Sequence, residues 1–242
     1  MFDLTATRRR VVLGALVLLA ATVVQAEDGK REGTGQSLSL SFHYHLDADM
    51  YEQDVFLKRN ASDSGVYRVT AGDRDMAAPL YRTAAFVPHS PYDPEQLGPY
   101  EPGEPLGITL GEWLSGTGQG EYTCADGEGR LDIRFGNLVP DGVYTLWQFF
   151  MADPPTEPFS GALALPVGAR DGSQTIFRAD ADGNAHFEQR FRPCLQPTGE
   201  HLTAGLATAY HSDGRTYGPL PGEYATRSHI HMILMLPKRA GL

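Results

Sequence analysis

The sequence has few cysteines, few basic residues and only one long apolar run, and these shortages exclude several classes of protein. Lysine and arginine number 20 against 30 aspartates and glutamates, and the net charge of −10 argues against a general nucleic-acid-binding surface. No Cys-x-x-Cys, His-Glu-x-x-His or Gly-x-Ser-x-Gly motif occurs, so common metal and hydrolase signatures are missing. Glycine (27) and proline (17) are abundant instead, which is typical of short strands joined by turns.

Residues 1–26 have the pattern of a cleaved export signal. Three arginines, Arg8 to Arg10, precede an apolar run from Val11 to Val24, and the segment ends on small residues suited to cleavage. The arginines also resemble a twin-arginine signal, so general secretory export and twin-arginine export both stay open. We therefore predict a signal helix that is removed and a mature chain, residues 27–242, in the periplasm or outside the cell. No later apolar run is long enough for a membrane span.

Cys124 and Cys194 are the two cysteines of the chain. In an exported protein, two cysteines most simply form one disulfide bond. The alternative is that one of them binds a metal ion as a thiolate. We expect the disulfide.

Alternation of apolar and polar residues dominates the mature chain. Leu38 to Leu46 alternates with serines and histidines, and Leu131 to Phe135 alternates with Asp132 and Arg134. Val143 to Phe150 is almost continuously apolar, as expected for a central strand covered on both faces. Asp-Gly turn signals separate such segments. The pattern predicts an all-β fold, an antiparallel β-sandwich with Greek-key connections.

A proline-rich segment, residues 88–105, interrupts this pattern with six prolines. Because proline cannot donate a hydrogen bond to a sheet, we expect an extended loop there. The strands before the loop are too few to bury a core of their own. We therefore predict one domain over residues 27–242, with the loop inside it.

Two segments stand out, Asn-Leu-Val-Pro-Asp-Gly-Val-Tyr-Thr-Leu-Trp at 137–147 and Ala-Tyr-His-Ser-Asp-Gly-Arg-Thr at 209–216. They resemble segments of a family of uncharacterised exported bacterial and archaeal β-sandwich proteins. The resemblance implies a secreted β-sandwich and brings no activity with it. A turn followed by an aromatic strand also occurs in cupredoxin-like folds, so a cupredoxin-like arrangement is one form that the sandwich could take.

Two His-x-His pairs provide the candidate chemistry. His43 and His45 alternate on the polar face of the first predicted strand, and His229 and His231 do the same on the last. If these terminal strands are neighbours, four imidazoles converge on one patch, and Met235 shares the histidine face. Imidazole binds copper and zinc well, and a thioether favours Cu(I). We therefore predict a copper or zinc site at these five residues.

Met50 and His211 are possible additional ligands. Met50 lies just beyond the first strand, and His211 lies at a strand end beside an Asp213-Gly214 turn, where a hydrogen bond to Asp213 is the alternative role. A blue-copper centre is disfavoured, because it needs a cluster of cysteine, histidine and methionine ligands. The plainer interpretation of each pair is two polar residues on a solvated strand face.

Three functions remain open after this reasoning. The first is an exported metal-binding protein in a carrier, sequestration or assembly role, with a metal ion as its partner and no catalytic residues. The second is a non-catalytic interaction module whose proline-rich loop contacts a protein partner or glycan through Tyr92 and Tyr100. The third is a hydrolase or oxidoreductase without a recognisable motif. We prefer the first, because only this interpretation depends on a specific set of residues.

Overall fold

Thirteen β-strands account for most of the regular structure in the computed structural model, which describes residues 36–238. The predicted signal segment, residues 1–26, lies outside the described residues. One short helix, α1 (Leu110–Trp113), and two 3₁₀ turns, His45–Ala48 and Pro94–Leu97, complete the described elements. The strands are β1 Gln36–Ser41, β2 Glu52–Leu57, β3 Tyr67–Thr70, β4 Pro79–Thr83, β5 Pro102–Thr109, β6 Thr117–Ala125, β7 Glu128–Gly136, β8 Val143–Ala152, β9 Leu163–Pro166, β10 Ile176–Arg178, β11 Ala185–Phe191, β12 Leu202–His211 and β13 Ser228–Met235.

The strands form three antiparallel sheets, which confirms the predicted all-β class. Sheet I has the order β1-β6-β7-β11, and sheet II has the order β10-β8-β12-β13 with β9 also paired to β8. Sheet III is smaller and has the order β3-β2-β4-β5. The Greek-key and cupredoxin-like details stay predictions.

Sheets I and II share the main hydrophobic core, as in a β-sandwich. Alternate residues of β7, Leu131, Ile133 and Phe135, enter this core from sheet I. Tyr144 and Leu146 of β8 enter it from sheet II. The period-two pattern of the sequence thus matches the packing on this side of the molecule.

The opposite, outer face of sheet II is also covered by apolar residues. Trp147, Phe149 and Met151 alternate with the inner residues of β8 and pack in a second cluster with Met50 and Ile230. The continuous apolar character of β8 follows from burial on both faces. This outer cluster borders the site described below.

A disulfide joins Cys124, near the end of β6, to Cys194, which precedes β12, and this confirms the predicted pairing. Because the two sulfur atoms are bonded to each other, the alternative that one cysteine binds a metal ion as a thiolate was wrong. The bond closes a loop with a sequence separation of 70 residues, and in the chain-entropy model a bond of this span contributes about 4 kcal/mol to stability.

Within residues 36–238 no helix is long and apolar enough to cross a membrane.

The predicted loop, residues 88–105, contains no strand before Pro102 but is not extended throughout. The segment contains the 3₁₀ turn Pro94–Leu97, and β5 begins at Pro102. Pairing of β5 with β4 is irregular, with register shifts that accommodate its prolines. The segment is therefore part of the packed structure of sheet III.

Candidate functional site

His43 and His45 do not share a strand face, contrary to the prediction. β1 ends at Ser41, and His43 forms an isolated antiparallel bridge with Ile233 of β13, with both backbone hydrogen bonds at 2.8 Å. His45 then begins a 3₁₀ turn, and Asp49 follows this turn in the left-handed region at φ 57°. The chain bends because it passes from sheet I to sheet II at this point. The condition that the first and last strands pair is met only at this bridge, because β1 lies in sheet I and β13 in sheet II, and the two imidazoles are not aligned.

His229 and His231 are completely buried and lie on no solvated face. His229 Nδ1 lies 3.0 Å from the carbonyl oxygen of Asp54, and its Nε2 lies 3.0 Å from Ser212 Oγ. Burial lowers the pKa of His229, so its ring is neutral at pH 7. Both ring nitrogens have protein partners, and neither is free to bind a metal ion.

His231 occupies a β-bulge. Thr208 pairs with Met232 and Ala209 pairs with Ile230, so His231 is an extra residue in β13. Its Nε2 donates to the carbonyl oxygen of Trp113 at 2.8 Å, and its Nδ1 accepts from the Tyr144 hydroxyl at 3.3 Å.

The bulge separates His231 from Met235. The imidazole of His231 stacks on the Trp113 ring at 3.8 Å between centroids, which places it at the main core. Met235 packs against the outer cluster instead. The five predicted ligands therefore do not form one site, because the bulge and the bend at His43 separate their side chains.

His211 also has a structural partner, and it is not Asp213. Its Nε2 lies 2.8 Å from Thr145 Oγ1, which also accepts a hydrogen bond from the indole of Trp147 at 2.7 Å. Burial lowers the pKa of His211 to about 4. The neutral ring helps to fix the outer face of β8 and β12.

His45 is brought close to a second histidine, His89, which the sequence left without a partner. Their ring centroids are 4.8 Å apart, with 49° between the ring planes. His45 Nδ1 lies 3.1 Å from the carbonyl oxygen of Glu52; because a carbonyl can only accept, Nδ1 carries the proton. His45 Nε2 keeps its lone pair and is buried without a hydrogen-bond partner. Burial, with repulsion from His89, lowers the pKa of His45 to about 3, so the ring is neutral.

His89 links this pair to a buried carboxylate. Its Nδ1 lies 3.6 Å from Asp54 Oδ1, and its ring lies 5.7 Å from that of Tyr224. The His89 side chain is 16% exposed, so the pair borders solvent on this side. Asp54 Oδ2 accepts a hydrogen bond from the backbone amide of Ile230 at 3.0 Å and thereby joins β2 to β13.

A buried charge cluster supports the imidazole pair. Arg68 of β3 lies 3.1 Å from Asp54 and 3.4 Å from Glu52, and all three side chains are fully buried. Burial alone would raise the pKa of Asp54, but contacts with His89 and Arg68 outweigh it and lower the pKa to about 2. Burial raises the pKa of Glu52 to about 7, against the opposing effect of Arg68. Asp54 is therefore ionised at neutral pH, and its negative charge lies directly beside His89.

A cavity of about 240 Å³ opens beside His45 and His89. Apart from the two histidines and Tyr224, its walls are apolar or glycine: Met50, Phe86, Pro88, Pro91, Trp147, Phe149, Met151, Phe159, Gly161, Ala162, Ala164, Ala207, Ile230 and Ile233. The two thioethers, Met50 and Met151, thus share the cavity with the imidazoles. Met50 was a predicted additional ligand, and it lies near His45 of the original set.

Another cluster with metal-ligand character lies on sheet I. Among residues 36–238, Asp132, His186 and Glu188 are the one trio of acidic, histidine or cysteine side chains whose possible ligand atoms lie within 4.8 Å of one another. Arg130 already contacts Asp132 at 3.1 Å and Glu188 at 2.8 Å, and the group is exposed. It is a surface ion cluster, as expected for the polar face of β11.

The proline-rich segment turns its tyrosines inward. Tyr92 packs edge-on against Phe159, and Tyr100 donates a hydrogen bond to the carbonyl oxygen of Gln96 at 2.6 Å. Both tyrosines are half-buried, and their role as a contact surface stays a prediction.

Sequence reasoning missed His89 and the charge cluster. The one available signal was the run Glu52-Gln53-Asp54 directly before the apolar residues of β2, since acidic residues in a buried strand need partners.

The chain matches no protein-family model, no curated protein and no solved structure. The site is therefore interpreted from its own geometry.

Proposed function

We propose that the protein is an exported metal-binding protein that holds a soft cation, Cu(I) foremost, at His45 and His89. The observation that carries the proposal is the unpartnered Nε2 of His45, in a neutral ring 4.8 Å from a second imidazole. Two imidazoles bound to one ion through nitrogens about 2 Å from it have ring centroids roughly 5 Å apart. The observed separation fits such a pair.

The surroundings of the pair favour copper over zinc. Met50 and Met151 line the same cavity, and thioether sulfur selects Cu(I) over harder divalent ions. Asp54 stands behind His89, and a carboxylate behind a ligating histidine orients the ring and raises its basicity. The hydrogen bond from His45 Nδ1 to Glu52 does the same for the other ring.

Export remains part of the proposal and is supported by the disulfide and by the pattern of residues 1–26. A carrier, sequestration or assembly role in the periplasm or outside the cell suits a two-histidine site of this kind. The resemblance to exported β-proteins points the same way. Fractionation of cells that express the full chain, with N-terminal sequencing, tests it; a start at Glu27 in the exported fraction is expected, and an uncleaved cytoplasmic chain contradicts it.

Copper binding is tested by competition with a chromogenic Cu(I) chelator. We expect the purified protein to hold one Cu(I) ion, and His89→Ala to weaken binding by more than about a hundredfold, because loss of a group behind a ligand already costs about 10–100-fold. His89 is the better position to change, because its side chain is 16% exposed whereas His45 is almost completely buried. His201→Ala is the matched control, since the His201 side chain is 84% exposed.

The result also separates this site from the one predicted from sequence. His43→Ala should leave Cu(I) binding unchanged, because His43 only bridges β13 through its backbone. Unchanged Cu(I) affinity in a folded His89→Ala variant contradicts the proposal. So does equal loss in His201→Ala, because that pattern indicates non-specific binding to histidines.

A further inference from the structure

The cavity beside the imidazole pair is larger than one metal ion requires. Its volume is about 240 Å³, and an engineered apolar cavity of roughly 150 Å³ already binds benzene. The space therefore admits a single-ring molecule with one or two small substituents, independently of any cation.

The walls of the cavity are mostly apolar and therefore favour an apolar ligand. Trp147 and Phe149 of β8 form one side, and Ile230 and Ile233 of β13 form the adjacent side. These side chains also pack against one another in the outer cluster on sheet II. Small apolar pockets of this kind bind ligands mainly through the water they release and the contacts they offer.

The polar groups at one end restrict the ligand further. Tyr224 and His45 line the cavity, and His45 Nε2 is a buried acceptor without a partner. A hydroxyl group can donate to this nitrogen. The Asp54 carboxylate lies behind His89, 3.6 Å from its Nδ1, and disfavours an anionic ligand at the same end.

We infer that the cavity binds a small, neutral, single-ring aromatic molecule that carries one hydroxyl group, such as a phenol. The ring lies between Trp147 and the isoleucines of β13, and the hydroxyl faces the His45 end. The inference does not depend on copper. Where both ligands compete for His45 Nε2, copper and the phenol exclude each other.

The test is calorimetric titration of the metal-free full chain with para-cresol. Saturable binding with a sub-millimolar dissociation constant is expected, and benzoate, a charged molecule of similar size, should not bind. Ala164→Phe fills the cavity from β9, a short strand with partly exposed residues, and should weaken para-cresol binding by at least about tenfold. Ala77→Phe, at an exposed turn, is the matched control and should bind as the unchanged protein does.

Three outcomes overturn the inference: no saturable para-cresol binding, equal binding of benzoate, or unchanged affinity in a folded Ala164→Phe variant. Copper titration of the same samples keeps the two proposals apart. If para-cresol fails while Cu(I) still binds at His89, the cavity inference is wrong and the metal site stands. If Cu(I) fails while para-cresol binds, the reverse holds.

Discussion

His231 and His45 are both buried, neutral imidazoles, but only one of them is available to a ligand. His231 is stacked on Trp113 and uses both ring nitrogens, on Trp113 and Tyr144. His45 uses one nitrogen, on Glu52, and leaves the other without a partner beside a cavity. Burial of a histidine is therefore no sign of a site. An unpartnered ring nitrogen counts only beside a cavity, since His211 Nδ1 also lacks a partner but does not line the cavity.

The regions around the two histidines differ in the same way. Around His231 the neighbours are the aromatic rings of Trp113, Tyr144 and Tyr44. Around His45 the neighbours are a charge cluster on one side and an apolar cavity on the other. His231 therefore stabilises the fold through both of its ring nitrogens. His45 leaves one nitrogen unpartnered, and other interactions, such as those of the charge cluster, must stabilise its surroundings.

The largest effect is expected at the charge cluster. Arg68→Met leaves Glu52 and Asp54 buried without their cation, and we expect a loss of about 3–5 kcal/mol in the free energy of unfolding. Urea denaturation measures it. Arg190→Met removes an exposed ion pair with Glu128 and should cost less than about 1 kcal/mol. Equal effects of the two changes contradict the view that the site rests on a buried network.

Replacement of the structural histidine should come next. His231→Leu leaves the Trp113 carbonyl and the Tyr144 hydroxyl without their buried partner, so we expect a loss of about 2–4 kcal/mol in the free energy of unfolding. Cu(I) affinity of the folded variant should be unchanged. His89→Ala should show the opposite pattern, with a large loss of Cu(I) binding and a smaller loss of stability than His231→Leu, although His89 also contacts Asp54. If both variants lose stability and binding together, the comparison between the two regions fails.

Acid should reveal the structural histidine by its effect on stability. Burial lowers the pKa of His231 to about 4, below the value of about 6.5 in an unfolded chain, so the unfolded state takes up the proton first as the pH falls. The contribution of His231 is therefore lost between about pH 6.5 and pH 4. We expect the stability difference between the unchanged protein and His231→Phe to shrink by about 2 kcal/mol between pH 7 and pH 4.5.

Glu52 has a raised pKa, so its titration changes stability in the opposite direction over the same pH range. Both proteins contain Glu52, and its effect therefore cancels in the difference between them. Guanidinium denaturation at both pH values is the measurement. A pH-independent difference shows that the imidazole is not held neutral by its surroundings.

The smallest effect concerns the thioethers. Met50→Leu with Met151→Leu keeps the volume of the cavity walls but removes both sulfur atoms, so stability should change by less than about 1.5 kcal/mol. Cu(I) affinity should fall by about tenfold while Zn²⁺ affinity stays the same, because thioethers favour the softer ion. An unchanged ratio of the two affinities means that the methionines are only packing residues.

The sequence was sufficient for the fold class, because alternation is a local property. Leu131, Ile133 and Phe135 point into the core as their spacing predicted, and Val143 to Phe150 is covered on both faces. The disulfide followed from the cysteine count alone. Each of these predictions depends on neighbouring residues or on a single possible pairing.

The site was beyond such reasoning for two physical reasons. A histidine that alternates with apolar residues can face water or the core, and His229 and His231 lie against rings of the main core. In addition, His45 meets His89 through packing between segments 44 positions apart. Of the residues named from sequence, Met50 and His45 lie near each other at the cavity.

The bulge in β13 has a consequence for how chains of this kind vary in length. On either side of residue 231 the strand alternates regularly, with Ile230 and Ile233 on the outer face and His229 and Met232 on the inner face. Removal of residue 231 would let the ladder with β12 close evenly while every other side chain stays on its own face. His231 is thus structurally equivalent to a single inserted residue, and a chain one residue shorter at this point could keep the same sandwich without the buried imidazole.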